Sequence, residues 1–418
     1  MANTFRAFRN KNYSLYFTGQ SVSLVGTWMQ RTGVVWVVYA LTHSTFMLGL
    51  TVFASQFPSF IFSLYGGILS DRYSRYKILL ITQIASMVQA VLLAVLVLTN
   101  HHQVWQILLL STILGIINAF DVPARQPLIH DLVSNKEDIP NALALNFSMV
   151  NVARLVGPAL SGIVLGKFGA GICFLLNAIS FMAVILSLLL MKLPTFTPKK
   201  TKKKLALELA EGFIYLKRTP SISITLIFLM LISLLVLPYD TLLPVFAKEI
   251  FKGDAATFGY ISSFIGLGAI GGSFFLASIK SGNNLKTLLL GSCILLGVSL
   301  ILFSHTTIFF PAMFFAILTG FGAMSQNTIC LTIIQVHADV RMRGRVISYL
   351  AMAYFGMLPL GSLIVGSISQ KIGAENTLLG QGVIALVITA FFIKYLRSDY
   401  LQKKDMGKVI ESEEMIAE

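Results

Sequence analysis

The chain has 418 residues, of which 56% are hydrophobic and only 12% are charged, and its formal net charge is +14. A soluble protein carries about 25% charged residues, so this composition excludes the ordinary soluble class and indicates an integral membrane protein. Nucleic-acid binding is not needed to explain the positive charge, because the basic residues concentrate in loops on one side of the predicted membrane.

Charge-free runs, such as 32–70 and 78–120, alternate with short charged segments along the chain. A spanning helix needs about 20 apolar residues, so the longer runs hold two helices each. The pattern predicts an all-α integral membrane protein with twelve transmembrane helices. Their approximate bounds are 14–41, 47–69, 78–99, 105–126, 140–166, 170–191, 221–246, 257–279, 286–303, 308–334, 346–370 and 376–395.

Lys and Arg determine the predicted orientation. With the N-terminus inside, the inside segments hold 25 of the 32 basic residues, the outside turns hold 4, and 3 lie within or at the ends of helices. This distribution predicts a multi-pass protein of the inner (cytoplasmic) membrane, with both termini in the cytoplasm.

The two halves of the chain repeat at an offset of 204 residues, which predicts two pseudo-symmetric six-helix bundles. The aligned pairs include Gly157 with Gly361, Gly162 with Gly366, Gly169 with Gly373 and Gly67 with Gly271. Gly157 and Gly361 are predicted to lie at equivalent places in the two bundles, each where a neighbouring helix packs closely. The predicted domains are an N-terminal bundle (1–191), a basic cytoplasmic linker (192–220), a C-terminal bundle (221–395) and a cytoplasmic tail (396–418).

The linker combines the basic run Lys199–Lys204 with an apolar pattern of helical spacing. The apolar residues are Leu205, Leu209, Phe213 and Leu216, and they lie opposite Glu208 and Glu211. This pattern predicts an amphipathic helix on the cytoplasmic membrane surface, with the lysines near anionic headgroups.

Charged residues are concentrated in the predicted cytoplasmic turn at 71–77. Asp71, Arg72, Arg75 and Lys77 lie there between two charge-free runs, directly after Gly67. Two interpretations remain open: a positive-inside topology anchor, or a cytoplasmic gate.

Asp121 and Arg125 form a second charged pair, at the end of the fourth predicted helix. They are four residues apart, so they share a helix face and can form an ion pair. This pair is either a structural contact at the cytoplasmic rim or part of the gate.

Three charged residues lie deep in predicted helices: Arg31, Arg154 and Asp240. Such residues usually face a water-filled cavity or a partner of opposite charge. For Arg31 the alternative is snorkelling to the outer interface. Asp240 lies between Pro238 and Pro244, which predict a broken helix. A polar cavity near the two arginines is predicted to include Asn146, Asn151, Gln326, Asn327 and Tyr354.

Neither a metal site nor a cofactor site is predicted. The three cysteines lie in apolar helices without metal-ligand spacing, and the six histidines form no cluster. No nucleophile–base pairing or phosphate-binding loop is apparent, so an enzyme is not expected.

The 67–77 stretch resembles the cytoplasmic signature of the major facilitator superfamily, Gly-x-Leu-x-Asp-Arg-x-Gly-Arg-Arg/Lys, and departs from it at Ser74 and Tyr76. Gly157, Pro158 and Gly162 belong to a stretch similar to the motif of antiporters and exporters in that superfamily. Further stretches at 120–125, 343–348 and 359–361 resemble the drug and siderophore exporters, including enterobactin exporters and macrolide efflux pumps.

This resemblance implies the major facilitator fold and alternating access driven by proton exchange. It also implies that Asp71 docks near Arg345 and Val346, at the start of the eleventh helix, when the cytoplasmic side is shut.

The functional expectation is a proton-coupled inner-membrane exporter of a small organic molecule, such as a siderophore, a drug or a related metabolite, that acts as a monomer. Asp240 has no cationic neighbour in its own helix and is the candidate proton-binding residue. Asp121 is the candidate for gating, in a relay with Arg72 or Arg75. The alternatives are a proton-driven importer and a non-transporting membrane sensor of the same fold.

Overall fold

The computed structural model describes residues 5–133, 135–191, 205–279, 285–339 and 342–397. Nearly all of these residues are helical, and none of them lies in a β-strand. The α-helices are α1 (Lys11–Thr42), α2 (Thr45–Arg72), α3 (Arg75–Leu98), α4 (Val104–Leu132), α5 (Ile139–Leu190), α6 (Leu205–Arg218), α7 (Pro220–Leu235), α8 (Leu243–Val245), α9 (Ala255–Ser278), α10 (Leu285–His305), α11 (Phe309–His337), α12 (Arg343–Ala351), α13 (Met357–Ile372) and α14 (Ala374–Arg397). The predicted lysine run at 199–204 and most of the tail predicted at 396–418 lie outside the described residues.

Ten helical segments of the described chain are long and apolar enough to cross a membrane. One of them, α5, has 52 residues and is interrupted at Gly169, so it counts as two spans. The 32-residue α1 is also of spanning length, although its polar residues keep it out of that group. These segments account for the twelve predicted transmembrane helices, and the all-α membrane fold class is confirmed.

Two glycines at the repeat offset terminate helical segments in the same way. Gly169 has a φ of 81° and Gly373 a φ of 86°, and each separates two consecutive helical segments. Residues with a Cβ rarely adopt this left-handed conformation, so glycine is favoured at both positions. The shared conformation, 204 residues apart, supports the internal repeat.

The repeated glycines also mark close helix contacts. A Cβ atom at Gly157 would overlap Trp28 of α1, and one at Gly361 would overlap the backbone of Leu234 in α7. Small residues allow such backbone approach within a membrane. The predicted close packing at both positions is confirmed, whereas their superposition under the bundle pseudo-symmetry stays a prediction.

Backbone contacts divide the chain into two compact units. Unit 1 comprises 1–200, 240–266 and 362–374, and unit 2 comprises 201–239, 267–361 and 375–418. In unit 1, α1 packs along α5 and α2 along α4. The division into two units is based on backbone contacts, whereas the predicted domain boundaries are based on the sequence repeat. The boundaries therefore stay a prediction.

Glycine pairs hold the two later segments of unit 1 against its earlier helices. A Cβ at Gly162 of α5 would lie 3.1 Å from the Cα of Gly259 in α9. A Cβ at Gly366 of α13 would likewise lie 3.1 Å from the Cα of Gly49 in α2. These two contacts between backbones bring the segments at 240–266 and 362–374 onto α5 and α2.

The predicted break near Asp240 is confirmed. Helix α7 ends at Leu235 and is followed by a 3₁₀ turn (Leu237–Leu242), the short α8 and a π turn (Phe246–Ile250). In unit 2, the Gln381 side-chain amide donates to the carbonyls of Leu235 and Val236, at 3.3 and 3.2 Å. These bonds satisfy carbonyls that the interrupted helix leaves without their usual partners.

The predicted linker helix is present as α6, and one side of it packs on α12 within unit 2. Gly212 faces the ring of Tyr349, and Leu216 is buried. Phe213, which the sequence pattern grouped with Leu216, is 51% exposed. The predicted apolar face is therefore divided between two environments, because protein contacts are centred on Gly212 and Leu216.

Candidate transport site

Two arginines and one tryptophan form the centre of a polar site in unit 1. Trp28 and Arg31 lie about one turn apart on α1 and share a helix face. The guanidinium carbon of Arg31 is 5.1 Å from the centre of the Trp28 ring, and that of Arg154 on α5 is 5.8 Å from it. Cations within about 6 Å of an indole face are attracted to it. One indole therefore holds two guanidinium groups from neighbouring helices.

Gly157 explains how α5 approaches α1 closely enough for this arrangement. Its Cα lies against Trp28 and the backbone of Val25, leaving no room for a side chain. Arg154 precedes Gly157 by three residues, which is about one helical turn. The predicted antiporter-type motif thus places Arg154 beside Trp28. Pro158 and Gly162 continue the contact surface of α5 toward α9.

Asp240 adds a carboxylate to the two cations. The broken segment after α7 carries it, and its charge interacts electrostatically with both Arg154 and Arg31. The Asp240 side chain keeps exposed surface although protein atoms surround it closely. Arg31 is exposed as well, and the choice between cavity lining and snorkelling to the interface stays a prediction.

The other predicted cavity residues differ in accessibility. Asn146 and Gln326 are buried between helices. Asn151, Asn327 and Tyr354 are half-buried, and Tyr354 lies in the π turn between α12 and α13. Asn151 in unit 1 and Asn327 and Tyr354 in unit 2 therefore keep exposed side-chain surface, whereas Asn146 and Gln326 are packed between helices. A role of these residues in substrate binding stays a prediction.

Asp121 occupies a sealed position between α3 and α4. Its side chain is buried and accepts hydrogen bonds from Thr82 at 2.8 Å and from Gln83 at 2.7 Å. It also forms the predicted ion pair with Arg125, which is confirmed. The sequence did not reveal Thr82 or Gln83 as partners, since their only signal is polarity within an apolar helix.

Arg75 does not contact Asp121 as the predicted relay requires. Its guanidinium pairs with Asp131, at 3.1 Å, at the end of α4. Asp121 is already occupied by the side chains of α3 and by Arg125. The pairing with Asp131 joins residues 56 positions apart, so no local pattern could have indicated it.

The remaining residues of the predicted gate are at the surface. Asp71, Arg72 and Lys77 are exposed, and the surroundings of Gly67 are open enough to admit a side chain. In unit 2, Arg345 forms an ion pair with Glu211 of the linker helix. The docking of Asp71 near Arg345 concerns a shut cytoplasmic side and stays a prediction.

Polar contacts join the ends of unit 1 that are predicted to face outward. The Tyr39 hydroxyl donates to the Glu249 carboxylate at 3.1 Å. The Ser44 hydroxyl donates to the Gln370 side-chain oxygen at 2.9 Å, and the Thr45 hydroxyl donates to the carbonyl of residue 366 at 3.0 Å. These bonds connect α1 and α2 with the segments at 240–266 and 362–374.

The three cysteines are buried thiols. Within the described residues, no group of three or more His, Cys, Asp or Glu side chains could hold a metal ion.

The helical architecture is that of known transporters. A mutant form of the nucleoside transporter NupG superposes with a TM-score of 0.75 at 13% identity. The match covers 93% of this chain and 100% of that chain. A bacterial homologue of the human lysosomal transporter Spinster, in an inward-facing and unoccupied conformation, superposes with a TM-score of 0.73 at 14% identity. The match covers 94% of this chain and 98% of that chain. At these identities the likeness concerns the fold alone.

The sequence places the chain within that class. It belongs to the transmembrane secretion effector family, whose model matches residues 2–415. The staphyloferrin A transporter of Staphylococcus aureus is 27% identical over 384 residues, covering 90% of this chain and 94% of the relative. Enterobactin exporter EntS of Salmonella typhi is 25% identical over 334 residues, which cover 79% of this chain and 78% of the relative. Macrolide efflux protein A of Streptococcus pyogenes is 19% identical over 390 residues, which cover 92% of this chain and 95% of the relative.

The predicted resemblance to the exporter branch is therefore confirmed. The chain is a multi-pass membrane protein of a bacterial transporter family and a small-molecule exporter of the major facilitator superfamily.

Proposed function

We propose that the protein exports a small organic anion, such as a siderophore or a related metabolite, across the inner membrane by alternating access in exchange for protons. The observation that carries this proposal is the cluster of Trp28, Arg31, Arg154 and Asp240 in unit 1, in which Arg31 and Asp240 keep exposed surface. Charged residues within a membrane-spanning region are costly, and they usually mark a substrate or ion pathway.

The two guanidinium groups define the class of substrate. A guanidinium binds a carboxylate through two parallel hydrogen bonds, which gives direction as well as affinity. Because Arg31 and Arg154 approach the same indole, they can engage two anionic groups of one molecule. Trp28 adds a flat apolar surface for the substrate. The relatives named for staphyloferrin A and enterobactin support a siderophore-like substrate.

Asp240 supplies the link to protons. While ionised, its carboxylate can accept a hydrogen bond from a hydroxyl or amide group of the bound substrate. Protonation turns one of its two oxygens into an O–H donor and leaves the other as the remaining acceptor. We assign the exchange to this change at Asp240: the substrate moves outward with Asp240 ionised, and the empty site returns to the cytoplasmic side with Asp240 protonated. Inward proton flow would then release substrate on the outer side.

The cytoplasmic residues are assigned to gating rather than to binding. Asp121 keeps α3 and α4 together through its buried hydrogen bonds. Asp71, which is exposed here, would dock near Arg345 when the cytoplasmic side shuts. In this proposal both termini are cytoplasmic, and the unit of transport is one chain.

The test is transport into everted membrane vesicles, with an anionic siderophore and a cationic drug as the two probes. We expect accumulation of the anionic probe that depends on an acid-inside proton gradient and collapses with a protonophore. Accumulation of the anion only in right-side-out vesicles would instead establish an importer. Accumulation of the cationic probe alone would contradict the assignment of the two arginines.

A further inference from the structure

Helix α6 has an outer face that none of the residues described by the structure covers. Ala210, Phe213, Ile214, Lys217 and Arg218 are all exposed. Residues three and four positions apart lie on one side of a helix, so these five form a continuous surface, here called the α6 outer face. Phe213 and Ile214 are each 51% exposed, which is unusual for two adjacent large apolar side chains on a helix in water.

The opposite side of α6 is attached to unit 2, which determines the direction of the outer face. Glu211 pairs with Arg345 of α12 at 2.5 Å. Gly212 lies against the ring of Tyr349, and Leu216 is buried in a cluster of apolar residues from α6, α7, α11 and α12. With these contacts in place, α6 cannot turn the outer face toward the protein.

The location of α6 relative to the membrane follows from the next helix. Arg218 ends α6, and Pro220 begins a segment long and apolar enough to cross a membrane. The backbone N–H of Thr219 donates to the carbonyl of Leu216 at 3.1 Å, so the connection is short and ordered. The outer face therefore lies at the level where the spanning segment enters the membrane.

The charge of the outer face matches an anionic surface. The Lys217 ammonium lies 4.9 Å from the centre of the Phe213 ring, so a basic group and an apolar group are adjacent. Arg218 adds a second cation on the same side. In the sequence, five lysines at 199–204 precede α6 and add to the positive charge of the linker.

We propose that the α6 outer face binds the anionic headgroup surface of the membrane leaflet that α7 enters, predicted to be the cytoplasmic one. Phe213 and Ile214 insert at the boundary between headgroups and acyl chains, while Lys217 and Arg218 contact phosphate groups. A stable protein partner is a poorer match, because such interfaces bury about 1,200 Å² or more and this face offers only two large apolar side chains.

The docking has a structural consequence. The same helix holds Arg345 through Glu211, so attachment of α6 to the lipid surface determines where the start of α12 is held relative to the membrane. The proposal does not depend on the substrate or on proton coupling, and it is tested without a transport assay.

The experiment is spin-label accessibility on the full-length protein in lipid vesicles. The native cysteines are buried, so a label reacts with a cysteine introduced by Phe213→Cys or, separately, Ile214→Cys. Oxygen concentrates in the membrane, whereas a nickel chelate stays in water. Ile81→Cys, on the exposed surface of α3, provides the membrane reference, and Asn135→Cys, in an exposed loop, provides the water reference.

In vesicles with anionic phosphatidylglycerol, we expect both α6 labels to match the oxygen-rich pattern of the Ile81 reference. In purely zwitterionic vesicles they should shift toward the water reference. Lys217→Gln and Arg218→Gln should each weaken docking by about fivefold, because one basic residue near an anionic surface contributes about that factor.

Three results would overturn the proposal. The first is a pattern like the Asn135 reference in every vesicle. The second is an oxygen-rich pattern that is the same in anionic and zwitterionic vesicles and is unchanged by the two basic substitutions. The third is protection of both labels from oxygen and nickel alike, which would mean that a protein, either a second copy or another partner, covers the face.

Discussion

Unit 1 contains two intramembrane aspartates that face arginines, and their surroundings differ. The side chain of Asp121 is buried, and three side chains of α3 and α4 donate hydrogen bonds to it. Asp240 keeps exposed surface and interacts electrostatically with the two arginines beside Trp28. The same pair of residue types, aspartate and arginine, thus occurs once in a sealed site and once in an open one.

This difference supports the separate roles proposed for the two residues, gating for Asp121 and proton binding for Asp240. A carboxylate whose acceptor positions are filled and whose surroundings exclude water has neither room for a substrate nor a route for a proton. One that water can reach, and whose cations also attract anions, has both. Burial and hydrogen-bond satisfaction therefore distinguish the two aspartates, whereas residue type does not.

The largest expected effect concerns the open site. Asp240→Asn should abolish the dependence of export on the proton gradient, because asparagine cannot take up or release the proton. A gradient of one pH unit supplies about 1.4 kcal/mol per proton, so the wild type can accumulate substrate about tenfold per exchanged proton. In the variant, the ratio of accumulation with and without a gradient should fall to about one. The measurement is substrate uptake into everted vesicles over a range of external pH.

The control for Asp240 is Asp131→Asn, which removes an exposed ion pair with Arg75 and should leave coupling unchanged. Proton-driven export that survives intact in Asp240→Asn would remove Asp240 from the proton pathway.

The sealed site should dominate stability instead. Asp121→Ala leaves Arg125 without its buried partner, and breaking a buried ion pair from one side costs about 3–5 kcal/mol. Asp240→Ala should cost less than about 1 kcal/mol, because water can solvate the groups that face it. Thermal unfolding of the purified protein in detergent measures both effects.

The double variant Asp121→Ala/Arg125→Leu provides the control, since removal of both charges should recover much of the lost stability. Equal destabilisation by Asp121→Ala and Asp240→Ala would mean that the two sites do not differ in the way proposed.

Asp71 is exposed at the end of α2, and its predicted role lies in docking. Asp71→Asn should lower transport by about tenfold or more, the value of one hydrogen bond to a charged group. Stability should stay within about 0.5 kcal/mol of wild type, as expected for a surface substitution. Initial transport rates and unfolding temperature, measured on the same preparation, separate the two effects. Normal transport would return the turn to the role of a topology anchor.

Trp28 tests whether the open site depends on its aromatic platform. Trp28→Leu removes two cation–π contacts worth about 0.5–1 kcal/mol each, which predicts an increase in KM of about 5- to 30-fold with a smaller change in maximal rate. Trp28→Phe keeps an aromatic face and should lie between the leucine variant and wild type. Identical KM values for the three proteins would mean that the indole does not position the arginines for the substrate.

The smallest effect is expected for charges remote from both sites. Lys200→Gln/Lys203→Gln removes two of the five lysines at 199–204, and transport should change by less than about twofold because the remaining charges are redundant. Protease accessibility of the linker confirms correct insertion of the variant. Abolished transport in a correctly inserted double variant would contradict this expectation.

Much of the fold follows from local sequence patterns. The length of each apolar run predicts a spanning helix, and the prolines around Asp240 predict the break after α7, because both effects act within one helix. The Asp121–Arg125 ion pair follows from a spacing of four residues. The repeated glycines predicted close packing, since only a residue without a side chain permits it.

The sequence alone therefore determined the membrane class, the helices, the internal repeat and the deep charged residues that a transporter needs. The tertiary structure decided which of these residues meet. It placed Trp28 between two arginines, filled the acceptor positions of Asp121 from α3, gave Arg75 a partner on α4 and turned Phe213 away from Leu216. These contacts join residues on different helices, and their geometry depends on how closely backbones approach at glycines such as Gly157, which no periodicity within a single helix records.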